Sequence, residues 1–136
     1  MIKKFLLSII LIFLTGYLNF SFAGVTIDLR GETWHIMEMT YEVGGKVETI
    51  AFDPQAYNPS YRLKGRNEIT IKDFYISESG KEKICTCKDA KFKRKRKKNV
   101  TIKYNGGKEG DNVYVNGYYK KEQVDITCPC VKGSKK

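Results

Sequence analysis

From Gly24 onward, short runs of alternating apolar and polar residues recur along the chain, separated by Gly, Asn, Asp or Pro. Strict alternation marks a strand with one face buried, because successive side chains point to opposite sides of a sheet. Val25, Ile27 and Leu29 alternate with Thr26 and Asp28. Trp34 to Val43 and Lys46 to Phe52 flank Gly44-Gly45, a pair free to take positive φ at both positions, which predicts a tight hairpin. Asp53 to Asn58 reads as a loop, with Pro54 and Pro59 as breakers, and Tyr61 to Leu63 predicts a short strand. Ile69 and Ile71 predict another strand, which Phe74 and Ile76 continue after a change of parity, the mark of a bulge. Ser77 to Gly80 predicts a turn and Lys83 to Cys87 a strand. Val100, Ile102 and Tyr104 lead to a turn at Asn105-Gly106-Gly107. Val113 to Val115, Asn116-Gly117 and Tyr118-Tyr119 carry the clearest local hairpin pattern. Val124, Ile126, Cys128 and Cys130 share one face of a final strand. After the first 23 residues there is no sustained 3.6 period and no internal repeat. The fold class this predicts is all-β: a small antiparallel meander closing into a barrel or sandwich, OB-like or lipocalin-like, stapled by cysteines.

The four cysteines fall in two pairs, Cys85-Thr86-Cys87 and Cys128-Pro129-Cys130. In an extended chain each pair presents both sulfurs on one face. In an antiparallel ladder the residue numbers of opposed partners sum to a constant. Cys85 with Cys130 and Cys87 with Cys128 give the same total, 215, so one register satisfies both bonds. A parallel register, Cys85 with Cys128 and Cys87 with Cys130, is also self-consistent but suits a meander less well. Pro129 has no N–H and fits an edge or the outward side of a ladder. A different chemistry for the same sulfurs is a metal site, in which four thiolates hold zinc or two pairs hold Cu(I).

Composition decides between these by compartment. Lys3 and Lys4 precede a ten-residue apolar run, Phe5 to Leu14, and Ser21-Phe22-Ala23 is a small-x-small cleavage signal. Residues 1–23 therefore read as a removed secretion signal rather than an anchor, since Thr15, Gly16 and Asn19 break the apolar stretch. Residues 24–136 are expected to form one small β domain, exported to a periplasmic or extracellular space. An even cysteine count in an oxidising compartment favours disulfides.

Trp34-His35-Ile36-Met37-Glu38-Met39 holds the only His and both Met residues beyond the signal. On one continuous strand His35, Met37 and Met39 would share a face, a soft donor set for Cu(I) or Ag(I) with Trp34 as a cover. The spacing Trp34-x-x-Met37-x-Met39 resembles the metal motif of periplasmic copper/silver chaperones that fold as small OB barrels. It covers six residues, and in that family the His lies several residues before the Trp. The resemblance implies a soft-metal carrier binding copper. Gly31 and Trp34 likewise resemble the Gly-x-Trp opening of lipocalin-like barrels, with one residue more between them. The plainer reading of the cluster is a buried strand with Met37 and Met39 as core filler.

The chain carries 25 Lys and Arg against 15 Asp and Glu, a net charge of +10. The excess is concentrated in the loop 91–98, where Lys93, Arg94, Lys95, Arg96, Lys97 and Lys98 run without a break. Such a run is a solvated loop or hairpin tip and attracts polyanions: an acidic polysaccharide, lipid phosphate or an acidic protein. Nucleic acid is an electrostatic possibility without a supporting motif. Asn99-Val100-Thr101 beside the run is a glycosylation sequon. No G-x-S-x-G, H-E-x-x-H or phosphate-binding loop occurs, and His35 would have to serve any His-dependent catalysis. The functional expectation is an exported, non-catalytic binding or accessory module whose basic loop meets an anionic partner or surface. The alternative is a periplasmic copper, silver or zinc binder using His35, Met37 and Met39 or the Cys pairs.

Overall fold

The computed structural model describes residues 24–53, 59–105 and 111–134. The expected secretion signal and the Gly106-Gly107 turn lie outside these residues, as does most of the loop after Asp53. The described chain is nearly all strand: β1 (Val25–Gly31), β2 (Ile36–Val43), β3 (Lys46–Ala51), β4 (Ser60–Leu63), β5 (Glu68–Glu78), β6 (Lys81–Lys93), β7 (Val100–Tyr104), β8 (Asn112–Tyr119) and β9 (Glu122–Lys132). They form one curled nine-stranded sheet, a half-barrel, in the order β3-β2-β5-β6-β9-β8-β7-β1-β4. Neighbours are antiparallel with one exception: β1 runs parallel to β7, with Ile27 opposite Val100 and Gly31 opposite Tyr104. The alternation of β1 was legible, but no local pattern names a partner so distant in the chain.

Bulges curl the sheet. The register shifts between Thr40 and Tyr41 where β2 meets β5, and between Ile71 and Asp73 where β5 meets β6. Asp89 on β6 takes the left-handed conformation at φ 49°. Each bulge adds local twist and changes which parity faces inward. Thus β5 buries Ile69 and Ile71, then Phe74 and Ile76, and β6 buries Cys85 and Cys87, then Ala90 and Phe92. With Val25, Ile27, Leu29, Ile102, Tyr104 and Val113 these side chains line the concave face as one core.

Three two-residue hairpins have positive φ at both central positions, the conformation that matches strand twist. Gly44-Gly45 joins β2 to β3, as the pattern predicts, and β5 turns into β6 at Ser79-Gly80, the second half of the turn expected at Ser77 to Gly80, since Ser77 and Glu78 stay in the strand. The third corrects an expectation. Asn116-Gly117 is not a turn: β8 runs straight through it, and the chain reverses at Lys120-Lys121, with φ 48° and 73°. Gly117 is needed for space instead. A Cβ there would lie 2.5 Å from Cδ1 of Phe92, which packs across from β6.

The cysteines obey the antiparallel register. Cys85 bonds Cys130 and Cys87 bonds Cys128, with Cα separations of 3.9 and 4.5 Å. No cysteine is free, so no thiolate remains for the zinc or Cu(I) site weighed from the sequence. The hydrogen-bonded ladder between β6 and β9 is short: Lys83 with Lys132, Ile84 with Val131, and Cys85 with Cys130. Pro129, next along β9, has no N–H to give, and the ladder stops there. Past Cys87–Cys128 the strands diverge: β9 stays with β8, while Phe92 of β6 leans onto Gly117 of β8.

The outermost strands, β3 and β4, share no described ladder. Side chains link them: Tyr61 packs on Phe52 and its hydroxyl accepts the Asp53 N–H at 2.7 Å. The Arg66 guanidinium pairs with Glu48 and lies over the Tyr41 ring.

Candidate functional site: a basic recess between two strand tips

The basic run is where β6 leaves the sheet. Lys91 to Lys93 still belong to the strand, with Phe92 turned into the core, so only the segment beyond Lys93 is a tip. There the Arg94 N–H donates to the Asn67 carbonyl at 2.7 Å, and Lys98 N–H donates to the Lys95 carbonyl at 2.8 Å. Arg96 sits in the turn between them with φ 39°. The sequon residue Asn99 follows, its side-chain amide donating to Asp28 at 2.8 Å.

A second basic segment lies beside this tip. Lys120 and Lys121, at the β8–β9 turn, face the β6 tip across a recess of about 720 Å³ lined by Lys93, Arg94, Lys95, Arg96, Lys120 and Lys121. This falls within the roughly 300–1,000 Å³ range of ligand sites. Among the described residues no carboxylate lines it. Lys97 and Lys98 are exposed but lie outside the lining. One lysine ties the two tips together: Lys95 Nζ donates to the Lys121 carbonyl at 3.5 Å and stands 4.7 Å from the Tyr118 ring centre. Lys120 Nζ lies 5.4 Å from the Tyr119 ring centre. Ammonium groups over ring faces gain about 0.5–1 kcal/mol each at exposed sites.

Sequence reading found Lys93, Arg94, Lys95 and Arg96 and missed Lys120, Lys121 and Tyr118, because the Asn116-Gly117 pair drew the turn four residues too early. The left-handed turn at two lysines has no local signature. Its only trace is the basic doublet following Tyr118-Tyr119. The recess gathers backbone strain: of the five described non-glycine residues at positive φ, Arg96, Lys120 and Lys121 line it. An L-residue in that region is disfavoured by roughly 1–2 kcal/mol. Such strain persists where the surrounding fold enforces it and clusters at working surfaces.

The Trp-His-Met cluster is laid out differently from a single strand face. Thr33–His35 is a 3₁₀ turn, so His35 precedes β2. A register shift between Ile36 and Glu38 then puts Ile36 and Met39 into the core together and leaves Met37 half-buried. The alternation that would have aligned His35, Met37 and Met39 is therefore absent. Trp34 is 56% exposed, and its ring sits 3.4 Å from that of His35. Among the described residues no three His, Cys, Asp or Glu side chains come together as a metal-binding group.

A polar network occupies the opposite rim, ten residues back along β6. The buried Tyr104 hydroxyl donates to Glu78 at 2.9 Å and accepts from Lys83 Nζ at 3.3 Å; Lys83 also pairs with Asp111 at 2.9 Å. Burial, then the Glu78 bond, pushes the Tyr104 phenol above its ordinary value, and the bond to Asp111 holds the Lys83 ammonium above its own. Both protonated forms are favoured by folding. Their contribution is complete below the unfolded values, near pH 10, and is lost as pH rises through the folded ones. Tyr104→Phe is expected to lower stability by about 1–2 kcal/mol at neutral pH and to flatten the loss of stability above about pH 10. Denaturant melts across pH check both; an unchanged alkaline limb would remove Tyr104 as its source.

No family model, curated protein or solved structure matches the chain.

Proposed function

We propose that the protein is an exported, non-catalytic binding module whose basic recess engages an anionic partner or surface. One observation carries this reading: two segments separate in sequence place six cations around one open recess whose described lining holds no carboxylate. Crowding of like charge raises the local potential and makes anion uptake favourable. The lysine and arginine heads are solvated, so the attraction is diffuse and screened by salt within about a Debye length, roughly 8 Å at physiological ionic strength. The two disulfides fit an oxidising compartment, which with the reading of residues 1–23 supports a periplasmic or extracellular location. No described helix is long and apolar enough to cross a membrane.

The test is binding of the disulfide-intact chain to dextran sulfate at low salt. Serine at Lys93, Arg94, Lys95, Arg96, Lys97 and Lys98 should abolish it. Serine at six exposed cations elsewhere, Lys46, Arg62, Lys81, Lys88, Lys103 and Lys132, should leave most of it. Equal loss in both variants would reduce the effect to net charge and sink the reading.

A further inference from the structure

Resting on that reading, we infer that the recess is a two-jawed clamp for a linear anionic polysaccharide, with the Cys87–Cys128 bond fixing the distance between the jaws. The first jaw is the β6 tip, Lys93 to Arg96; the second is the β8–β9 turn, Lys120 and Lys121. Their common root is the disulfide. From Cys87 to Lys93 is six residues along β6, and from Cys128 to Lys121 is seven along β9. Between root and tips no β6–β9 ladder exists. The two arms share a covalent fork, touch again where Phe92 of β6 packs on Gly117 of β8, and end in cationic tips.

The shape and lining select the ligand class. A bilayer is flat and meets convex tips, whereas these charges surround a concavity. The large apolar side chains exposed among the described residues, Trp34, Val47 and Val131, belong to other parts of the fold, so the tips carry no membrane wedge. Sequence-tolerant binding of single-stranded nucleic acid relies on open aromatic faces. Here Tyr118 and Tyr119 each have an ammonium over the ring. A protein partner would be anchored by aromatic or arginine residues in packed pockets, and the recess is open and walled by lysine and arginine stems. A single glycan strand is narrow enough to lie in it. It offers repeated carboxylate or sulfate groups to both jaws, and C–H faces to the aliphatic stems.

Simultaneous engagement makes the second jaw's contact intramolecular, so affinity rises steeply once the ligand spans both. The turn itself supplies a variant that cannot be dismissed as misfolded. Asn-Gly is the preferred pair for a two-residue hairpin with positive φ at both positions. Lys120→Asn with Lys121→Gly therefore removes the second jaw's charge while relieving its strain, and should raise the melting temperature.

The experiment measures affinity of the disulfide-intact chain for size-fractionated heparin oligosaccharides at constant salt. In the unaltered protein, affinity should climb by about tenfold or more between a disaccharide and a chain long enough to span both jaws. K120N/K121G should lose that climb while keeping disaccharide binding and melting higher. C87A/C128A, with Cys85–Cys130 retained, should bind the disaccharide normally and show a reduced climb. Should K120N/K121G match the unaltered protein at every length, the clamp is wrong and the β6 tip acts alone. If serine across Lys93 to Arg96 also changes nothing, the recess reading itself falls. Tighter binding to phosphatidylglycerol vesicles or to single-stranded DNA than to the long glycan overturns the ligand class.

Discussion

Alanine at all four cysteines is expected to lower the melting temperature by about 20 °C, and a chain that keeps either disulfide alone should recover most of that loss. The bonds join residues 45 and 41 positions apart. Closing a loop of that size in the unfolded chain stabilises the fold by about 4 kcal/mol through loop-closure entropy. Once one bond is present, the other closes only the small ring containing Thr86 and Pro129. The second bond's effect on the unfolded chain is therefore small, and the two are strongly non-additive. What a single removal adds is local. Cys85 and Cys128 are fully buried, so truncation to Ala leaves unfilled core on the order of 1 kcal/mol. Thermal melts of C85A/C130A, C87A/C128A and the quadruple variant check this. Two double variants that each lose half of the quadruple effect would overturn the shared-loop account. The comparison also separates stability from binding. C87A/C128A should melt close to C85A/C130A, yet only the former frees the root of the two jaws.

The disulfide register was legible because it follows from arithmetic on a rigid object. Two pairs with spacing two can meet across an antiparallel ladder in one alignment, and the fold uses it. The strands and two of the hairpins were legible for a similar reason: alternation and the Gly44-Gly45 and Ser79-Gly80 turns are local, and each states its own conformation. The features that build the recess are not local. The β6–β9 ladder stops after three pairs, where Pro129 meets a strand far away in sequence, and beyond that point a recess opens between the Arg94–Arg96 segment and Lys120–Lys121. Met37 left the expected face because the buried face of β2 is chosen by β5, through the register shift at that residue, and His35 stands outside the strand in the 3₁₀ turn Thr33–His35. The parallel partnership of β1 with β7 depends on the whole intervening chain.

Gly117→Ala is expected to destabilise the protein by about 1–3 kcal/mol, the range for overpacking a closed core, and Gly117→Val by more. The residue is not at positive φ, so backbone conformation raises no objection to a side chain. Space does: the new Cβ would lie 2.5 and 3.0 Å from Phe92 Cδ1 and Cε1, and 3.2 Å from Val100 Cγ2. Phe92 cannot swing away, because its ring is fully buried against Gly117 of β8. A smaller residue at position 92 should therefore relieve the clash. Phe92→Leu alone loses buried area at a cost of about 1–2 kcal/mol, yet the double variant should be more stable than the sum of the single losses by about 1 kcal/mol or more. Denaturant unfolding of the four-member cycle measures that coupling. A coupling near zero would mean that Gly117 serves the backbone after all, as the Asn116-Gly117 pattern suggested. A positive coupling shows glycine acting through its missing side chain, leaving room for the Phe92 ring of β6 to pack against β8 just before the turn that carries Lys120 and Lys121.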